Sequence, residues 1–391
     1  MEGETSYYVI RNIGTMTIEQ ANVVNNSGYR KTNPSGSMVG SSLICNGGDV
    51  GATLTINGGT FTQMNFLVVK NDALGTLNVT GGTFTSKHSA IQNWFKANIT
   101  GGEINGQLWT DSWAVGESVG ETTIGGNATV KGEIVMDITG SVKPTLEISG
   151  GTFSNAVLPE YCADGYVPTK NEDGTYGVKV DTSVAEVNGV KYETLQGAID
   201  AAARKATVKL LADTKENVTI STPYVTLDLN GHTLNGSTGE RKPALTITAR
   251  VTVMDSSATQ TGTIMREDTA ENSGVSSHYV IDVQGDGWLT FESGTVKNGS
   301  GAGGTKGVSL VRVGDDSVAK YPGLNIKGGT FTQDNFIVIK VDRGDLFLNG
   351  GTLNSANSYA VENWHRATIK GGTVNGNVSS WTYSSGLNSE L

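Results

Sequence analysis

Residues 54–70 read LTINGGTFTQMNFLVVK, and residues 324–340 read LNIKGGTFTQDNFIVIK. Twelve of the seventeen positions are identical at an offset of 270, so the chain repeats itself at long range. Within each copy a Gly-Gly pair recurs at short range. In the first the pairs begin at Gly58, Gly81, Gly101, Gly125 and Gly150, with spacings of 23, 20, 24 and 25. In the second they begin at Gly328, Gly350 and Gly371, with spacings of 22 and 21. Short β-prone runs ended by Gly-Gly at such a period predict a solenoid of stacked coils.

The duplication extends outward from that block. Tyr8-Val9-Ile10 matches Tyr279-Val280-Ile281, Asn93-Trp94 recurs as Asn363-Trp364, and Ala97-x-Ile99-x-Gly101-Gly102 recurs as Ala367-x-Ile369-x-Gly371-Gly372. Residues 7–110 thus align with 278–380. Material present once lies between. Residues 165–180 predict a hairpin turning at Asn171-Glu172-Asp173-Gly174, and a second hairpin turns at Asn188-Gly189, a strong type I′ signal. An amphipathic helix is expected over 193–205, where Leu195, Ala198, Ile199 and Ala202 share one face. Such a helix would cover the open apolar end of a stack. Two domains follow, 1–180 and 181–391. The chain reads as the back part of one module of about 270 residues and the front part of the next, which implies a tandem array in a longer parent.

Composition narrows the partners. Gly makes up 53 of 391 residues without a period of three, which suits tight turns and excludes collagen. The net charge of −10 argues against nucleic acid and against anionic membrane surfaces. No apolar run reaches the ~18 residues of a membrane span. Cys45 and Cys162 match neither a disulfide framework nor a zinc site. The four histidines, His88, His232, His278 and His365, lack partners at metal-ligand spacing, so neither a metal nor a cofactor is expected. Gly299 to Gly304 fits G-x-G-x-x-G, but no helical pattern follows, so a loop is expected there.

The segment VNGVKYETLQGAIDAAARKATVKLLADTKENVTI (187–220), the strand VTLDLNGHTL (225–234) and the GGTF coils at 58, 81, 150 and 328 resemble the pectate-lyase-like right-handed parallel β-helix. The stretch YCADGYVPTKNEDGTYGVKV (161–180) is similar to repeats in large cell-surface proteins of gut Gram-positive bacteria. The resemblance implies an all-β fold. It has two tandem right-handed parallel β-helix domains, each coil holding three short parallel strands, and one short capping α-helix. It also implies an extracellular, cell-wall-associated or secreted protein.

Enzymes of that class cleave acidic polysaccharides with Asp/Glu clusters, an Arg or Lys base, or a Gly-His-Gly and an Arg-x-Lys. Here Gly231-His232 is followed by Thr233, and no Asn-Thr-Asp or Arg-x-Lys occurs. Asp315-Asp316 and Arg266-Glu267-Asp268 read as turn and loop charges. No catalytic residue is therefore assigned. The distinctive side chains are the tryptophans. Asn93-Trp94 and Asn363-Trp364 are equivalent, and Trp109 and Trp381 each follow about one coil later. Flat rings on one side of a solenoid can stack on sugars or anchor a protein. Asn93, Trp94, Trp109, Asn363, Trp364 and Trp381 are the candidate ligand-binding residues, with two similar sites expected. The expected function is a non-enzymatic surface binding or display module. Its expected ligand is a host glycan such as mucin or a host protein such as an immunoglobulin. A polysaccharide lyase or hydrolase, and an inert stalk, are the alternatives. A cleft with three or more carboxylates beside an Arg or Lys would favour catalysis.

Overall fold

The structure, a computed structural model, describes residues 8–25, 42–48, 50–113, 118–138, 142–236, 242–266, 279–298, 309–315 and 319–381. The expectations for His278, Glu267, Asp268, Asp316 and the 299–304 loop lie outside them. The chain divides into two compact units, one ending at Asp181 and the other starting at Thr182.

Each unit is a parallel β-helix whose coil has three strand rows, I, II and III in chain order. In the first unit, row I contains Thr15–Ile18, Ala52–Ile56, Gly75–Val79, Lys96–Ile99, Glu121–Ile124 and Thr145–Ile148 in parallel register. Alternation builds it: Leu54 and Ile56 point inward and are fully buried, while Thr53 and Thr55 point outward. Register then stacks Ile56, Val79, Ile99, Ile124 and Ile148 into one aliphatic column. Row II adds Phe61 on Phe84, with centroids 5.2 Å apart and planes at 11°. Rows II and III fuse where Thr83–Asn93 and Glu103–Ser112 run through the corner between them. The second unit repeats this plan from Thr207–Leu210 to Thr373–Ser380, around a core of its own.

The Gly-Gly pair divides two tasks. A Cβ on Gly81 would sit 2.3 Å from the carbonyl of Asn57 in the preceding coil, so the first glycine permits close stacking. Gly82, at φ +98°, makes the turn in the left-handed region.

The units end differently. The first closes on the antiparallel hairpin of Tyr166–Lys170 and Tyr176–Val180, joined to the coils through Tyr176 against Phe153. The second opens with the hairpin Ala185–Val187 and Val190–Tyr192, turning through Asn188 (φ 52°) and Gly189 (φ 77°). Its helix spans Leu195–Ala201, shorter than the expected 193–205. Ala202 already has an extended ψ of 120°, and Lys205 turns the chain at φ 70°. Thr194 caps the helix by accepting from the Gly197 amide at 3.1 Å. Glu216 accepts from the Leu195 and Gln196 amides at 2.7 and 3.0 Å. Leu195, Ala198 and Ile199 are buried against the first strands of the stack.

Candidate functional site

Row III carries the sequence-selected residues, and alternation sorts them into inner and outer columns. Its strands in the first unit are Ile10–Asn12, Ile44–Asn46, Val69–Asn71 and the ends of the two long strands. The inner corner column is Asn12, Asn46, Asn71 and Asn93, each nearly or fully buried. The Asn12 amide donates to the Asn46 side-chain oxygen, Asn46 to Asn71, and Asn71 to Asn93, each at 2.7 Å. Asn93 in turn donates to Thr122 Oγ1 and the Glu121 carbonyl, both at 2.9 Å. Its amide is therefore spent inside the fold. Asn363 is equally buried, donating to Ser380 Oγ at 3.1 Å and accepting from the His365 amide at 3.1 Å.

The outer column of the first unit runs through Cys45, Lys70, Gln92 and Trp109. Lys70 pairs with Asp72 at 2.6 Å. Burial works to lower its pKa, but the charge and hydrogen bond of Asp72 outweigh it and hold the ammonium raised. Burial pushes the Cys45 thiol up, with Lys70 opposing. Both cysteines are free thiols. The Gln92 amide and the indole N–H groups of Trp94 and Trp109 are buried without hydrogen-bond partners.

In the second unit the outer column is Asp282, Arg312, Lys340, Glu362 and Ser379. Arg312 donates through Nη2 and Nε to Asp282 at 2.7 and 3.0 Å, and through Nη1 to Asp315 at 3.1 Å. Its guanidinium lies 4.6 Å from the centroid of the Tyr279 ring. Burial opposes its charge, yet the hydrogen bond and charge of Asp282 raise its pKa well above the ordinary arginine range. Lys340 pairs with Asp342 at 2.9 Å, and that contact holds its pKa raised against burial. Burial raises the Glu362 carboxyl, opposed by Lys340 and by a hydrogen bond from Trp364.

The tryptophans are placed unequally. Trp94 is buried, at 8% exposure, and Trp109 is half-buried. Trp364 is half-buried and Trp381 is 45% exposed. The second pair stacks, with centroids 5.7 Å apart and planes at 19°. Trp113, close to Trp109 in sequence, is 60% exposed. The sequence equivalence therefore yields one accessible ring pair, not two similar ones.

Among the described residues no group of three or more His, Cys, Asp or Glu side chains is arranged to hold a metal ion. No helix among them is long and apolar enough to cross a membrane. Comparison with protein-family models, with curated proteins and with solved structures finds no match to this chain.

Proposed function

We propose that this chain is a non-enzymatic binding and display module of a bacterial surface protein. It would be built from pectate-lyase-like β-helix repeats of the adhesin type seen in gut Gram-positive bacteria, and would work outside the cell. Its ligand is a host mucin-type glycan, with a host protein such as an immunoglobulin as the other candidate. The observation that carries this reading is the Trp364–Trp381 stack, which offers two neighbouring rings on one outer face. Partly exposed aromatic faces next to hydrogen-bonding groups favour sugar rings and interface anchors alike. A tandem parent would add avidity to modest single-site affinity.

One observation favours the lyase or hydrolase reading. Asp282, Asp315, Asp342 and Glu362 share one region of row III with Arg312 and Lys340. Each of the two cations, however, is engaged by carboxylates within 3.1 Å, and Arg312 also lies against Tyr279. A general base needs a pKa near the working pH, and both cations are shifted upward, away from it. The same contacts suit a rigid support beneath the tryptophans.

The test is binding of the full chain to a mucin-coated surface, for the parent and for W364A/W381A. A loss of about 30-fold in affinity is expected, the effect of removing a hot-spot anchor. Unchanged binding would remove this reading. Unsaturated products or new reducing ends from polygalacturonate would replace it with the enzymatic one.

A further inference from the structure

Row I of the second unit carries an outer column unlike any in the first. Register places Arg250, Trp288, Gly323, Asp345 and Arg366 side by side on successive coils. The matching column of the first unit is Thr15, Thr53, Thr76, Lys96 and Glu121. Closing the coil therefore requires neither the tryptophan nor the glycine.

Gly323 serves as a seat. A Cβ there would lie 2.4 Å from Cε3 of Trp288, so the indole rests directly on the backbone of the next coil. The ring meets Phe347 at a centroid distance of 5.8 Å and an angle of 31°. The Arg250 guanidinium lies 5.7 Å from the indole centroid. Beyond it stands Tyr224, 44% exposed and held at φ 65°, a left-handed conformation costly for an aromatic residue. Arg204 lies 4.5 Å from the Tyr224 ring centroid. Tyr224, Arg250, Val251, Thr252, Trp288 and Thr290 line a shallow, open groove. Neither arginine has a carboxylate partner among the described residues, in a chain of net charge −10.

A ligand complementary to this groove must offer a flat apolar face to Trp288, an anionic group to Arg250 and hydroxyls to Thr252 and Thr290. A pyranose ring meets the first and third demands, because one of its faces is lined by C–H groups. A carboxylate or sulfate substituent meets the second, and guanidinium forks favour such anions. A nucleotide would also stack and carry charge, but the overall negative charge of the chain disfavours polyanions. We propose that Trp288, Arg250 and Tyr224 form a saccharide subsite for a pyranose bearing a carboxylate or sulfate. It lies on a different row from the Trp364–Trp381 pair and does not depend on it.

The test uses the full chain carrying W364A/W381A, so that the row III pair contributes nothing. Titration calorimetry with 3′-sialyllactose, a 6-sulfated lactosamine, lactose and a dinucleotide separates the sources. Saturable binding of one or both anionic sugars is expected, with lactose at least about tenfold weaker, since a charged hydrogen bond is lost. Adding W288A should weaken binding about 30-fold. R250Q, at an exposed side chain, should erase the preference over lactose even if W288A fails to fold. Absence of saturation by either anionic sugar at millimolar concentration, an unchanged preference in R250Q, or tighter binding of the dinucleotide would each overturn the proposal.

Discussion

The same corner of the coil is built from asparagine in one unit and valine in the other. In the first unit Asn12, Asn46, Asn71 and Asn93 stack on successive coils. In the second the column is Val283, Val313, Val341 and Asn363. Both columns are buried, and the backbone register around them is alike. The asparagines are stable there because each amide is the partner of the next, and free N–H groups also reach carbonyls such as Thr76 and Lys96. The valines need only burial. One fold thus accepts a serial polar network or an additive apolar column at one position. Because side chains alternate along a strand, the outer column is free to change separately. There the first unit has Cys45, Lys70 and Gln92, where the second has Arg312, Lys340 and Glu362.

The largest effect should come from breaking the ladder. Asn71→Ala removes the acceptor of Asn46 and the donor to Asn93, Gly75 and Lys96. The first unit should lose about 4 kcal/mol in urea unfolding, since several buried groups lose partners together. The counterpart change is Val341→Ala, at the equivalent place in the column, next to Asn363. It should cost the second unit about 2 kcal/mol, the transfer and cavity cost of two methyl groups. Equal costs at the two sites would mean that the ladder behaves as simple packing.

A smaller effect concerns the outer column. Burial raises the Glu362 carboxyl above its unfolded value. Its contribution to stability is then fully present below the unfolded pKa and is lost as pH rises through the folded one. Stability of the second unit should therefore fall over that window, and Glu362→Gln should flatten the profile. An unaltered pH profile in the variant would assign the dependence to another group. Gln92→Glu in the first unit sharpens the contrast, because it places a carboxylate where the amide has no partner, beside the raised Lys70.

Much of the fold was legible because its signals are local. Gly81-Gly82 encodes close stacking and a left-handed turn in two letters, and Val225-Thr226-Leu227 alternates as a half-buried strand must. The ladder was only half legible. Ile-Arg-Asn, Ile-Cys-Asn, Val-Lys-Asn and Ile-Gln-Asn end four successive row III strands, so the signal was present. Asn93 stands out in the sequence through the adjacent Trp94, but its burial and hydrogen bonds place its amide in the column. The helix end was not legible, because Ala202 and Ala203 favour helix while the turn at Lys205 ends it earlier. The seat of Trp288 on Gly323 was hidden for a different reason. Their contact depends on the register of coils interrupted by long insertions, which spacing alone does not set. Relative exposure of the tryptophans is likewise set by neighbouring coils and not by their own strand.

Equivalent tryptophans do different work in the two copies, and a paired measurement tests this directly. Thermal unfolding and affinity for a mucin-coated surface would be measured for W94A/W109A and for W364A/W381A. W94A/W109A should destabilise the first unit by about 3 kcal/mol or more, as large buried aromatics do on truncation, and leave binding unchanged. W364A/W381A should leave the melting profile nearly unchanged and weaken binding about 30-fold. Binding lost through Trp94 and Trp109, or stability lost through Trp364 and Trp381 with binding intact, would contradict it.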